Sequence, residues 1–455
     1  MNEAGSLPHL RREIPFTLPI RVLQFGQGNF LRGFVDWQID VLNERCGLSL
    51  GVVIVRPTSR STAPLLDTQG GCYTTILRGP DESGTLQTEV RQIACVQREL
   101  DLAIHYSDYL QLAHNPDVRF IVSNTTEAGI TINDSDGYAD RPPSSFPAKL
   151  TRWLFERFVH FGGDTQKGVI LLPCELIEAN GPALRIAVTH FARVWQLESA
   201  FQTWLDRCCH FCSTLVDRIV TGYPCTEVKT LQEELGYRDH FMVAGERYHY
   251  WAIEAPPSVS KELPLDRAGL NVHWTDDLPS IRLRKVAILN GAHTVLAAVG
   301  LLAGVRTVDE AMRDPDLRAF LQATLDEEII PSLPFAVVHS QAYASDVLLR
   351  FSNPHIQHSL EAIALNMESK CIVRLLPQVH CFHRATGRLP PRLVFALAAA
   401  KTLCGPSGGA LDKAANGITG LAVQMLTACH AIEEKGVRAG LAAATVDEAP
   451  NSQGA

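Results

Sequence analysis

Lys285, Asn290 and His293 fall within one otherwise apolar run, Lys-Val-Ala-Ile-Leu-Asn-Gly-Ala-His-Thr at 285–294. An amine, a carboxamide and an imidazole are what a site needs to take a proton from an alcohol oxygen, or return one, while holding the charge that forms. Read as an α-helix at ~100° per residue, their positions fall near ~0°, ~140° and ~80°. The three then share one broad side of the helix, and Ala287 and Ile288 point elsewhere. A structural reading stands beside the chemical one. A His or Asn within a helix is often a satisfied core residue, and a Lys at a helix end can snorkel.

The elements that must position such a group begin near the N-terminus. Residues 21–25 read as a strand, Gly26-Gln-Gly28 as a tight turn, and Phe30, Phe34, Trp37 and Val41 recur at helical spacing. Strand, G-x-G and amphipathic helix together open a dinucleotide-binding unit, in which glycines let the backbone approach a pyrophosphate and the helix N-terminus favours its charge. Asn29, Phe30 and Arg32 stand on the same fingerprint. The third glycine of the motif is missing: Leu31 takes its place, and Gly33 follows two residues later. An acid is expected at the end of the second strand, 51–55, to hold ribose hydroxyls. Arg56 stands there, with Arg60 nearby, and suits either a 2′-phosphate or an adenine pocket. Further apolar strands at 120–122 and 168–172 alternate with helical patterns such as 148–158, which implies a doubly wound parallel sheet. The loop Ser123–Gly129 leaves a strand at its carboxyl end, so Thr125 and Glu127 are candidates for cofactor contacts. They also read as the N-cap and first turn of a helix.

Beyond about residue 276 the pattern changes. Helical periodicity dominates at 286–303, 308–329, 354–366, 390–403 and 420–440, with Asn353-Pro354 as cap and first position of one helix. The expected organisation is α/β: a Rossmann-type domain over 1–276 and a mainly α-helical domain over 277–455, whose tail 441–455 lacks pattern. With 455 residues, 46% hydrophobic and 20% charged, the composition is globular. A net charge of −8 disfavours nucleic acid and anionic membranes as partners. The apolar run 295–305 is too short to span a bilayer. No apolar leader is visible, and the twelve irregularly spaced cysteines suit a reducing compartment, so a cytoplasmic location is expected. Cys208, Cys209, His210 and Cys212 include a C-x-x-C without a second ligand pair, and no metal site is expected.

These residues resemble the long-chain mannitol dehydrogenase family. The resemblance rests on Gln24–Glu44, Gly51–Pro57, Ser123–Ile130, Pro173–Ile177, Val216–Ile219, Lys285–Thr294 and Arg350–Pro354. It implies a Rossmann-type domain, a helical domain and metal-independent hydride transfer with NAD. It implies that Lys285 is the general acid/base, Asn290 polarises the substrate oxygen and His293 orients the substrate. Gly26, Gly28, Phe30 and Arg32 then belong to the cofactor fingerprint, and Asp217 and Arg350 line the substrate pocket. The sugar-acid branch of the family is the nearer one, so a small sugar acid is the expected substrate. Its carboxylate needs a cation from among Arg350, His358, Lys370 and Arg374, with Arg350 favoured for its bidentate fork. The chain is expected to act as a monomer or small homo-oligomer. Two departures stand out. Leu176 replaces a family asparagine, with Glu175 and Asn180 as candidate substitutes, and similarity fades after about Ala400, as if a segment near 404–420 were lost. An enzyme with another substrate, such as fructuronate or a neutral polyol, and a cofactor-binding protein without catalysis are the competing readings. Retention of Lys285, Asn290 and His293 together speaks against the second.

Overall fold

Every residue of Gly51–Arg56 is buried, because its Val-Val-Ile-Val run is the interior of a sheet covered on both faces. The computed structural model describes residues 7–12, 17–56, 64–81, 84–125, 129–356, 358–405 and 409–445, the side chains of 442–445 excepted. Contacts divide the chain into two units: Met1–Arg78 with Leu86–Leu278, and Gly79–Thr85 with Pro279–Ala455.

The first unit is built on a six-stranded parallel sheet. Its order is Val96–Asp101, Gly51–Arg56, Ile20–Phe25, Phe120–Ser123, Ile170–Pro173, His210–Phe211. The order reverses beside Ile20–Phe25, so the turn after that strand opens at a topological switch point, where such sheets bind ligands. Helices Phe146–His160 and Asn180–Val194 pack on one face through Trp153 and Val188. The run Asn29–Cys46 packs on the other, through Phe34, Val35 and Leu42. Two smaller sheets were not legible in the sequence. One joins Val220–Gly222, Val243–Glu246, Tyr73–Pro80 and Leu86–Ile93, and the other Val272–Thr275, Tyr250–Glu254 and Ser213–Asp217.

The second unit, over its described residues, is helical around a core of its own. The run Leu278–Leu302 spans 25 residues and is apolar enough to cross a membrane by length and composition, yet 72% of its most apolar window is buried within the protein. Several expected helices prove to be broken, each at a residue with a local hydrogen bond or a left-handed backbone. The stretch 308–329 divides at Asp314, whose carboxylate accepts from the N–H groups of Asp316 and Leu317 to start a new helix at Pro315. No helix begins at Pro354: Asn353 accepts from the N–H of His355 at 3.1 Å, forming an Asx turn instead of a cap. Helical structure resumes at Leu360–Ala364, capped by Ser359, and again at Met367–Lys370 after left-handed Asn366. Gly436, at φ 77°, divides 420–440 into Leu421–Lys435 and Val437–Thr445. The tail was expected to lack structure from 441; residues 441–445 are helical.

Among the described residues, four π-helical segments interrupt the helices: Arg32–Asp36, Val286–Asn290, Thr324–Ile329 and Cys371–Leu375. Each π turn takes up one more residue than an α turn, and such turns concentrate at functional sites. The first two fall on the segments that sequence reasoning singled out.

Candidate active site

In the first unit the site is the turn after Ile20–Phe25. Gly26 has φ 120°, and a Cβ there would lie 3.0 Å from the carbonyl oxygen of Asn124, so a side chain is disfavoured both by backbone strain and by a tight contact. At Gly28 nothing lies within 4 Å of where a Cβ would stand, and the residue is exposed. Gly28 therefore keeps open the space above the helix N-terminus and fills no packing need of the protein. Gly33 takes over the packing role of the absent third glycine: a Cβ would meet Val243 at 3.0 Å and Val220 at 3.1 Å. The π turn Arg32–Asp36 contains this displaced glycine.

Arg32 clamps the turn. It donates to the carbonyls of Gln27 at 3.1 Å and Phe241 at 2.5 Å, and to Oδ1 of Asn29 at 2.7 Å. Phe30 stacks on Phe34 with centroids 5.1 Å apart. Arg56 is buried and bound to Glu99, with Nε at 3.1 Å and Nη2 at 3.0 Å from Oε1, and it also donates to the carbonyl of Pro64. Its guanidinium is thus committed to the neighbouring strand. Arg60 and Glu127 lie outside the described residues. Thr125 donates both its N–H and its hydroxyl to Glu175 Oε1 at 3.0 Å, and Ser123 donates to Oε2 at 3.0 Å. Burial raises the Glu175 carboxyl above the usual range, against these donors. Asn180 donates to the carbonyls of Pro173, Glu175 and Thr214 and accepts from the N–H of Thr214. Glu175 and Asn180, the two candidate substitutes for the family asparagine, thus serve the strand ends, and Leu176 itself is exposed. Asp217 is buried at the end of Ser213–Asp217. Its neighbour Arg218, which the sequence did not flag, donates to the carbonyls of Gly33, Arg247 and Tyr248 and lies over the Trp37 ring at 4.1 Å.

In the second unit the site centres on His293. Lys285 ends the helix Leu278–Lys285, Asn290 ends the π turn Val286–Asn290, and His293 lies in Gly291–Leu302. The π turn corrects the angular reading. Because it absorbs one residue, the angles become ~0°, ~40° and ~−20°, so the spread shrinks from ~140° to ~60°. The axial separation of Lys285 and His293 falls likewise, from ~12 Å to ~10.5 Å. His293 is buried, its ring stacked on Phe351 at 4.2 Å and edge-on to His358 at 4.9 Å. Its Nε2 has no hydrogen-bond partner among the described residues, nor has Nδ1 of His358. Burial first, then the positive field of His358, Arg350, Arg374 and Lys285, hold the His293 imidazole well below its usual range. It is neutral near pH 7. The carboxamide of Asn290 makes no hydrogen bond to a described residue and is partly exposed.

Arg350 is buried near the end of the helix Val337–Phe351. Asp346, one turn before it, is raised by burial more than Arg350 lowers it. Lys370 donates to the carbonyl of Ile363 at 2.7 Å. Arg374 donates to Thr294 Oγ at 3.2 Å, and Thr294 donates to the carbonyl of Asn290 at 2.8 Å. Phe351 and Thr294 are contributors that sequence reasoning missed. Phe351 is legible only as an apolar residue beside Arg350.

A switch-point sheet with an open glycine turn, and a helical unit with an amine, an amide and a neutral imidazole on one helix face, define an oxidoreductase. The chain belongs to the mannitol dehydrogenase family: the Rossmann-domain model of that family matches residues 20–267 and its C-terminal-domain model residues 277–446. Over 390 residues it is 52% identical to altronate oxidoreductases of Shigella flexneri and Escherichia coli O1:K1, and 51% identical to that of Cronobacter sakazakii. Each match covers 86% of this chain and 81% of the relative. Among solved structures, substrate-free D-sorbitol dehydrogenase superposes with a TM-score of 0.79 at 21% identity, covering 96% of this chain and 98% of that one. Pseudomonas fluorescens mannitol 2-dehydrogenase, in a ternary complex with NAD and D-mannitol, superposes at 0.74 and 21% identity, covering 96% and 97%. These two likenesses speak to the fold.

Proposed function

We propose that this chain interconverts D-tagaturonate and D-altronate, with NADH as the hydride donor in the reducing direction, as a step of hexuronate catabolism. The observation that carries the reading is the cationic surround of the buried, neutral His293, together with the 52% identity to altronate oxidoreductases. A neutral polyol has no use for Arg350 and Arg374 beside the same imidazole, whereas a carboxylate does.

The turn at Gly26–Gly28 suits a dinucleotide. Gly26 disfavours a Cβ, Gly28 leaves open space, and the N–H groups of Asn29 and Phe30 start the helix. NAD is favoured over NADP because Arg56 is held by Glu99. When bound, the cofactor supplies or accepts a hydride. The protein's own tasks are then three. Asn290 donates its amide to the ketone oxygen, where charge gathers in the transition state. Lys285 as an ammonium gives that oxygen its proton, and as a neutral amine takes one back in reverse. His293, neutral, holds a substrate hydroxyl through Nε2, while Arg350 receives the carboxylate.

The test is oxidation of NADH and of NADPH against tagaturonate, fructuronate and fructose. Fast turnover of NADH with tagaturonate is expected. Preference for fructose, or an Arg350→Ala variant with full activity on the sugar acid, overturns the reading.

A further inference from the structure

Beneath the glycine turn lies a carboxyl group that the catalytic scheme does not use. Asp36 closes the π turn Arg32–Asp36 and is fully buried, as are Gln24, Tyr73 and Cys95 around it. Gln24 Nε2 lies 3.2 Å from the carbonyl oxygen of Gly26 and 3.4 Å from Asp36 Oδ2. The Tyr73 hydroxyl lies 2.9 Å from the carbonyl oxygen of Arg32 and 3.0 Å from the same Oδ2. Asp36 is therefore wired to Gly26 through one side chain and to Arg32 through another.

Proton counting decides its state. A tyrosine hydroxyl has one hydrogen. If Tyr73 gives it to Asp36, its contact with the Arg32 carbonyl is left without a proton. If Tyr73 gives it to Arg32, then Asp36 must be the donor to the tyrosine oxygen, which requires a proton on Oδ2. Only the neutral acid satisfies both contacts. The other oxygen, Oδ1, has no partner among the described residues, which a buried carboxylate tolerates far less well than a buried acid. The surrounding groups offer little to hold a negative charge. The Arg32 guanidinium is spent on Gln27, Asn29 and Phe241. Asp40, one turn on, is bound by Arg91 at 2.8 Å and adds a like charge. Cys95 Sγ donates to the backbone oxygen of Asp36. Arg218 points to the carbonyl of Gly33.

We propose that Asp36 is a positioning residue for the cofactor turn, acting as a neutral carboxylic acid whose contacts with Tyr73 and Gln24 fix the carbonyls of Arg32 and Gly26. This rests on the assignment of that turn to NAD. Burial, opposed by Tyr73, Gln24 and Arg32, carries the Asp36 carboxyl up from 3.8 to about 7, so its proton is lost as pH rises through neutrality. Ionisation reverses that bond: Tyr73 then donates to the Asp36 carboxylate and releases the carbonyl of Arg32, which slackens the turn, so NADH should bind more weakly as pH rises.

The full chain is tested in two ways. Difference infrared spectra, wild type minus Asp36→Asn, cancel other buried acids such as Glu175 and Glu328 and should show a carboxylic-acid carbonyl band at pH 6 that shrinks at pH 8. Fluorescence titration reads the NADH dissociation constant, which should rise by roughly three- to tenfold over the same interval, as one linked proton allows. Asp36→Asn keeps an N–H donor toward Tyr73 and should change by less than about twofold across that interval. Tyr73→Phe should bind weakly at both pH values. Absence of the band at pH 6, or an unchanged pH slope in Asp36→Asn, overturns the proposal. A wild-type protein that shows the band but binds NADH at neither pH overturns the cofactor assignment instead.

Discussion

Lys285 and His293 lie on one helix face, yet their environments assign them different work. Lys285 is partly exposed at the threshold of the π turn, where a long side chain can reach a substrate oxygen. Replacing it with Ala should lower turnover by about 10²- to 10⁴-fold, the usual worth of a general acid/base. The NADH dissociation constant should stay within about twofold, since the candidate cofactor residues all belong to the other unit. Lost NADH affinity with normal turnover at saturation would remove Lys285 from the chemistry. His293, in contrast, is held neutral by burial and four basic neighbours. Its folded value is depressed below the unfolded ~6.5, so its contribution to stability is complete above that pH and is lost as pH falls. Urea midpoints of the wild type should therefore drop more steeply below pH 6.5 than those of His293→Gln. Parallel curves would mean that the imidazole is protonated in the folded state. The kcat profile of His293→Gln should fall in height and keep its shape, because a group that stays neutral contributes no limb.

At the scale of elements, a buried carboxylate holds one helix start. Glu328, in the π segment Thr324–Ile329, accepts at 2.8 Å from the N–H groups of both Arg392 and Leu393, the first turn of Pro391–Cys404. It also faces the Arg392 guanidinium at 3.4 Å, and both side chains are nearly inaccessible. Glu328→Ala leaves two buried helix N–H groups short of their acceptor, which should cost about 2–4 kcal/mol by urea denaturation. A loss below about 1 kcal/mol would mean that Glu327, which also reaches Arg392 at 2.8 Å, takes over. The same scale marks what the sequence could tell. Four of the six parallel strands were legible because runs such as Val-Val-Ile-Val and Ile-Leu-Leu are continuous and apolar, whereas Val96–Asp101, with three charged residues, and the two-residue His210–Phe211 were not. The glycine turn was legible because Gly26 and Gly28 follow such a run directly. The two smaller sheets were not, since Leu86–Ile93 is largely exposed and carries no buried face to alternate. Helix breaks at Asp314 and Asn353 were missed because their effect depends on a side-chain hydrogen bond, which periodicity does not register. Of the candidate site, residue types and helix were legible. The cations drawn from 350 and 374 were visible only as candidates, because their approach to His293 depends on packing among separate helices. Arg56 was misleading for a related reason: its partner Glu99 is 43 residues away in sequence, on an adjacent strand.

The whole molecule has one hydrophobic core around Ile288, Leu296 and Phe320 in the helical unit, and separate cores on the two faces of the parallel sheet. A ligand stabilises what it binds by RT ln(1 + [L]/Kd), about 2.7 kcal/mol at one hundred times Kd. For a unit of this size each kcal/mol is worth about 2–4 °C. Scanning calorimetry with saturating NADH should thus raise the transition of the sheet-containing unit by roughly 5–10 °C. An equal rise produced by altronate alone, without cofactor, would mean that the dinucleotide is not the principal ligand of that unit.

The π turn at Val286–Asn290 also fixes how this protein can be compared or recombined with others. One residue there is surplus to an α-helix, so any relative with an unbroken α-helix must be one residue shorter within that helix, with no change in either flanking loop. An alignment that moves the gap to a loop shifts Asn290 and His293 one position and pairs them with core residues. A chimera joined between 285 and 291 inherits the same hazard: a donor segment of equal length that closes as an unbroken α-helix would turn everything downstream by ~100° and carry the imidazole out of register with the amine.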